Sequence, residues 1–182
     1  DEWDDFLARG INVEYLYLSL SGDTASRFHQ MLKERDQLHP DYPDWREAFE
    51  ASKTNGVALF MEYTHILTQG RRIEEVLNEQ VEFISRQPGR DGPLQMSLLR
   101  LISTAHACGG HIPADLLPVL LNEQRVNLRP HLKRLADEHL IVGRDDYYYG
   151  LHEVRSQVLR DLIHGYPPPS LKTTLRQLIA NL

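Results

Sequence analysis

The chain of 182 residues carries 26 acidic and 20 basic side chains, a net charge of −6, and 41% of its residues are hydrophobic. This length allows one large core or two small ones, and the acidic balance disfavours nucleic acid as a general partner because it repels phosphate groups. No apolar run approaches the roughly 18 residues of a membrane-spanning helix. The single cysteine, Cys108, cannot form an intramolecular disulfide. We therefore expect a cytoplasmic protein with no membrane partner.

Residues 1–90 predict a short strand followed by a bundle of helices. The segment Ser21-Gly22-Asp23-Thr24 is typical of a turn and helix cap, Asp44 is a typical N-cap, and Gly70 is typical of the end of such a segment. Between these signals the apolar side chains recur at helical spacing, most regularly near the end of this part. The expected elements are a strand over 11–20, helices over 24–38 and 45–52, an apolar stretch over 57–67 and an amphipathic helix over 71–85.

The second half predicts a winged helix. Residues 87–93 are rich in proline and glycine and indicate a linker. Three short helices over 98–102, 112–121 and 125–140 then precede a β-hairpin, which is the order of elements in a winged helix. Pro118 would kink the second of these helices or mark a later start.

The fold expected from these patterns is mainly α, in three parts. Residues 1–90 form a strand and helical domain, and residues 91–165 form a winged-helix domain with a β-hairpin. Residues 166–182 form a proline-rich connector and the start of a further helix.

The hairpin ends in Leu151-His152-Glu153, where a new helix is expected to begin. An imidazole donates a hydrogen bond to a phosphate oxygen, and backbone N–H groups of a first helical turn add to anion binding. Glu153 favours the helix dipole but opposes a second anion. The alternative for His152 is a ring that closes the hairpin by bonding to the backbone.

These segments together resemble the lid and winged-helix region of STAND-class signalling NTPases, which are switch-like relatives of AAA+ ATPases. The resemblance rests on element order, on Leu151-His152-Glu153, and on the segment Gly56-Val57-Ala58-Leu59-Phe60-Met61-Glu62-Tyr63. In that family a Gly-x-Pro motif opens the lid against the adenine, and Gly56 and Ala58 occupy its positions, with Ala58 in place of the proline. The family's Met-His-Asp histidine contacts the β-phosphate of ADP, a role that the resemblance implies for His152. The alternative for Gly56 is a helix break without a ligand.

The resemblance implies a regulatory module rather than a complete enzyme. The sequence contains no Gly-x-x-x-x-Gly-Lys-Ser/Thr, so we expect this chain alone to have no hydrolytic activity. ADP or ATP with Mg²⁺ would bind in the full-length protein, on a nucleotide-binding core upstream of this chain. A downstream sensor domain is the other partner that the resemblance implies.

Two alternative functions remain open. Four cations lie in the third helix of the second half, the helix that enters the major groove in DNA-binding winged helices. A DNA-binding transcriptional regulator or a protein-interaction module would also fit this architecture. The cations are Arg125, Arg129, Lys133 and Arg134.

A metal site is not expected. His106, Cys108 and His111 offer zinc-binding side chains, but a fourth ligand at motif spacing is absent. Gly109 and Gly110 are better explained as a turn between helices.

Overall fold

The computed structural model describes residues 19–54, 56–165 and 169–181. Within these ranges the chain forms nine helices and two small antiparallel sheets, of two and three strands. The predicted mainly α fold is therefore confirmed. Contacts divide the chain into two compact units, Asp1–Arg72 and Ile73–Leu182.

The first unit begins, in its described part, with Ser19 and Leu20, which bridge to the segment before the last helix of the unit. Ser19 pairs with Leu59, and the Leu20 N–H donates to the Ala58 carbonyl at 2.8 Å. The rest of the predicted strand over 11–20 lies outside the described residues. The elements that follow are α1 (Gly22–Glu34), α2 (Trp45–Ala51), β1 (Lys53–Thr54), β2 (Val57–Ala58) and α3 (Phe60–Gln69).

Local capping chemistry sets the helix ends of this unit. The Ser21 hydroxyl accepts from the Thr24 N–H at 3.2 Å, which caps α1. Asp44 caps α2 by accepting from Arg46. Gly70 ends α3 in the left-handed conformation, with φ of 72°. The start of α2 and the end of α3 lie where the sequence predicted them, whereas α1 begins two residues before the predicted Thr24 and ends at Glu34 instead of residue 38.

Tyr63 is the centre of the core of this unit. Its side chain is fully buried, and its hydroxyl donates to the Ala25 carbonyl at 2.9 Å, which joins α3 to α1. Phe28 and Phe49 pack around it as tilted or edge-on rings. Burial raises the pKa of Tyr63 above its ordinary range.

In its described residues the second unit contains six helices and the three-stranded sheet. In this sheet β5 is central and pairs antiparallel with β3 on one side and β4 on the other. The elements are α4 (Ile73–Ser85), α5 (Asp91–Ala107), β3 (Ile112–Pro113), α6 (Leu116–Leu121), α7 (Arg125–Asp137), β4 (Ile141–Arg144), β5 (Tyr147–Gly150), α8 (Glu153–Gly165) and α9 (Leu171–Ile179).

Helix α4 belongs to this unit, whereas the sequence predicted a boundary near residue 90. The predicted amphipathic helix forms, and its buried apolar face packs against α5 and α8. The periodicity of a helix shows which face it buries but not which neighbour covers that face. The expected linker over 87–93 is also shorter than predicted, because α5 already begins at Asp91.

Residues 112–121 form a strand and a short helix rather than one helix. Ile112 and Pro113 pair with Tyr148 and Tyr147, and α6 begins only at Leu116. Pro118 therefore lies in the first turn of α6, where the backbone nitrogen needs no helical acceptor. The later start that Pro118 allowed is the one observed.

A cluster of polar side chains connects α9 to α5 through hydrogen bonds. A guanidinium nitrogen of Arg100 donates to the Thr174 hydroxyl at 2.7 Å, and both side chains are buried. The Thr174 hydroxyl also lies 2.9 Å from the His164 Nε2 atom of α8. The further helix predicted after residue 170 therefore forms and has a packing partner within the unit.

We expect Thr174→Val to lower the free energy of local unfolding of α9. Valine has nearly the same shape but leaves the buried Arg100 guanidinium without this acceptor, which should cost about 1–3 kcal/mol. Hydrogen exchange of the α9 amides should accelerate in this variant. Thr174→Ser keeps the hydroxyl and is the matched control, so equal exchange in both variants would show that the hydrogen bond does not hold α9.

Candidate functional site

His152 lies at the junction between β5 and α8, and it caps the helix. The Val154 N–H donates to His152 Nδ1 at 3.2 Å, and the Ser156 N–H donates to the His152 carbonyl at 2.9 Å. An imidazole nitrogen thus takes the role that a serine or aspartate oxygen usually has at an N-cap. A neutral ring that accepts at Nδ1 carries its proton on Nε2.

The Nε2 side of His152 faces outward. The side chain is exposed, and its Nε2 has no hydrogen-bond partner within the described part of the chain. The N–H on this atom is therefore available to an external acceptor, next to the positive end of the α8 dipole. The alternative for His152 was a hydrogen bond between its ring and the backbone. This bond is present at Nδ1 and leaves Nε2 free for a ligand.

A second histidine lies close to the start of α8. His106, near the end of α5, places its Nδ1 2.8 Å from the hydroxyl of Ser156, which is fully buried. Burial lowers the pKa of His106; the charge of Glu153 opposes this shift, and His152 adds to it. His106 is therefore a neutral structural group that connects α5 to the first turn of α8.

The His106–Ser156 contact requires a glycine at the end of β5. A Cβ atom on Gly150 would lie 1.9 Å from the Ser156 hydroxyl and 2.9 Å from His106 Nδ1. The backbone of β5 therefore packs directly on α8 and sets the position from which His152 emerges. Sequence reasoning missed this role, although a glycine within a strand often marks such a close approach.

The lowered pKa of His106 predicts a pH dependence of stability. The unfolded chain protonates this ring near pH 6.5, before the folded chain does, so the stabilisation is complete above that pH. It is lost as the pH falls below about 6.5. We expect urea denaturation of His106→Asn to depend less on pH between about 7.5 and 5 than that of the unaltered protein. His111→Asn, which removes an exposed histidine, should keep the original dependence; the same flattening in both variants would contradict the assignment.

The other two residues suggested by the resemblance occupy a β-hairpin. Gly56 lies exposed in the turn between β1 and β2 with φ of 80°, so it turns a hairpin rather than breaking a helix. Ala58 is 4% exposed and its carbonyl accepts from Leu20, so its methyl group packs into the core. The exposed apolar side chains beside it are Val57 and Phe60, which the sequence did not single out. An adenine contact by Gly56 and Ala58 stays a prediction.

The four cations of α7 are exposed but differ in their pairing. Lys133 pairs with Asp137, and Arg134 pairs with Glu138 at 3.3 Å and donates to Gln87 at 3.0 Å. Arg125 and Arg129 have no ion pair or hydrogen-bond partner among the described residues. The N-terminal half of α7 therefore carries the two uncommitted cations.

The remaining candidates have structural contacts instead of a common site. His111 packs edge-on against Tyr147 at 4.5 Å between ring centroids, while His106 bonds to Ser156. Across the described ranges, no three His, Cys, Asp or Glu side chains are arranged to hold a metal ion. None of the helices described combines the length and apolar character required to cross a bilayer.

Comparison of the chain with protein-family models, with curated proteins and with solved structures found no match.

Proposed function

We propose that this chain is the regulatory lid and winged-helix module of a STAND-type, ATP-dependent signalling switch. In this proposal His152 contacts the β-phosphate of ADP. The observation that carries it is the exposed His152 ring, with Nδ1 occupied by the backbone and the Nε2 N–H free beside the N-terminus of α8. The nucleotide and its Mg²⁺ would be held by an upstream core of the same protein, and the motion would pass to a downstream sensor domain.

The topology of the second unit supports the winged-helix part of the proposal. A helix, a short strand and two further helices precede a two-stranded hairpin, and the short strand pairs with the second hairpin strand. The hairpin turn has positive φ at both central residues, Asp145 and Asp146, as a tight two-residue turn requires. We interpret β4, β5 and their turn as the wing, and α7 as the third helix.

The capping geometry supports a contact with phosphate. Because Val154 holds Nδ1 as an acceptor, the Nε2 donor is oriented before any ligand arrives, which lowers the ordering cost of binding. The N-terminus of α8 adds a favourable potential for an anion, and the charge of Glu153 in the same turn opposes it. A contact that distinguishes the terminal phosphate of ADP from the bridging phosphate of ATP is the kind of difference that a two-state switch needs.

DNA binding is the second candidate, supported by the uncommitted Arg125 and Arg129. Sequence-independent affinity for a duplex comes from several phosphate contacts, each made by a free cation. Lys133 and Arg134 are already paired, and two acids lie in the hairpin turn. The described contacts therefore support a phosphate contact by His152 more than DNA binding by α7.

The nucleotide content of the intact gene product tests the proposal. A closed switch should retain about one ADP per chain, released by acid and identified by chromatography. ADP added at 100 times its dissociation constant should stabilise the nucleotide-free protein by about 2.7 kcal/mol. The absence of bound adenine nucleotide, together with an unchanged melting temperature in millimolar ADP and ATP, would exclude the proposal.

A further inference from the structure

A groove of about 500 Å³ lies between α7 and the three-stranded sheet. Its α7 side combines the buried Leu128 and Leu132 with Val126, which is 70% exposed. Ala114 and Tyr148 line the other side. The groove is of the size of small-ligand sites and mostly apolar in its lining.

The two uncommitted cations of α7 flank this apolar lining. Arg125 and Arg129 both line the groove and lie four residues apart, so they project from one face of the helix. Neither has a carboxylate within ion-pair distance among the described residues. An apolar groove with two free guanidinium groups is complementary to a ligand that offers an apolar side chain beside carboxylates.

We propose that this groove binds a short acidic segment of a partner protein. A large apolar side chain of the segment enters between Leu132 and Tyr148, and carboxylates beside it pair with Arg125 and Arg129. The guanidinium group suits this role because it binds a carboxylate through two parallel hydrogen bonds. The interaction is independent of the nucleotide contact proposed for His152.

The surroundings of the groove favour a peptide over a duplex. Asp115, Asp145 and Asp146 line a neighbouring depression that includes Arg125. An extended phosphate backbone would bring several charges past these acids, whereas a short segment meets them only where its carboxylate pairs with Arg125. The apolar lining also contributes to binding a peptide but adds little to contacts with phosphates.

Fluorescence anisotropy with synthetic ligands tests this inference on the full chain. The probe is a labelled amphipathic peptide of glutamate, leucine and tryptophan. The control peptide has glutamine in place of every glutamate. We expect the acidic peptide to bind the unaltered protein. The glutamine peptide should bind it at least about tenfold more weakly, and the acidic peptide should bind the Arg125→Glu/Arg129→Glu variant at least about tenfold more weakly. The matched Lys133→Glu/Arg134→Glu variant reverses the paired cations and should bind nearly as well as the unaltered protein.

Three results would overturn the inference. The first is an equal affinity of the acidic peptide for both charge-reversal variants, and the second is no binding of the acidic peptide to the unaltered protein. The third is duplex DNA that binds more tightly than the peptide and loses its binding in the Arg125→Glu/Arg129→Glu variant. The DNA result would assign the two arginines to phosphate instead. Circular dichroism checks that both variants fold, and ADP affinity of the intact gene product should be unchanged in both, which separates this test from that of His152.

Discussion

Replacement of Gly150 by alanine should destabilise the second unit by about 3 kcal/mol. The added Cβ would lie 1.9 Å from the Ser156 hydroxyl and 2.9 Å from His106 Nδ1, far inside normal contact distance. Relief requires β5 to move away from α8 or the His106–Ser156 hydrogen bond to break, and both disturb the position of His152. Guanidinium denaturation followed by far-UV circular dichroism measures the loss.

The chain offers matched controls for this experiment. Gly165 is also in this unit, and among the described residues no atom lies within 4 Å of an added Cβ, so Gly165→Ala should be nearly neutral. Ser156→Ala removes the closest clashing atom, so the double variant Gly150→Ala/Ser156→Ala should lose less stability than the two single losses added together. Equal stability of the Gly150→Ala and Gly165→Ala proteins would contradict the packing described.

His152→Ser should lower the affinity of the intact gene product for ADP by about 10–100-fold, the size of one hydrogen bond to a charged group. Serine is a good N-cap and preserves the contact with the Val154 N–H, so the start of α8 should stay formed. It has no donor that reaches as far as Nε2. The effect on ATP affinity should be smaller, because the proposed contact distinguishes the two nucleotides.

Isothermal titration with ADP and ATP provides the measurement for this second prediction. His111→Ser removes another exposed histidine of the same unit and should leave both affinities unchanged. An unaltered ADP affinity in His152→Ser would remove the role proposed for this ring. Equal losses for ADP and ATP would leave a phosphate contact but exclude its function as a switch.

Signals confined to a few residues were predicted well from the sequence. The caps at Ser21 and Asp44 and the left-handed end at Gly70 depend on one side chain and the next turn. Pro93 misled the prediction, because it lies in the first turn of α5, where a missing N–H costs nothing, and was assigned to a linker. Pro118 has the same place in α6, which agrees with the later start that this proline indicated.

Features that depend on distant residues could not be predicted. The amphipathic pattern of α4 was clear, but its packing on α5 and α8 depends on which apolar surface is nearest after folding. Of the candidate site, the place of His152 at a helix start follows from the local sequence. The support from Gly150, Ser156 and His106 does not, because His106 and Ser156 are separated by 50 residues. The burial of Ala58 likewise depends on a distant residue, Leu20, whose backbone N–H donates to the Ala58 carbonyl.

Hydrogen exchange of the intact gene product, with and without nucleotide, shows whether His152 contacts the β-phosphate of ADP. If His152 and the first turn of α8 contact the β-phosphate, amides over residues 151–155 should exchange more slowly with ADP than with ATP or without nucleotide. Protection by ADP elsewhere in the protein, with exchange over 151–155 unchanged, would exclude the contact between His152 and the β-phosphate.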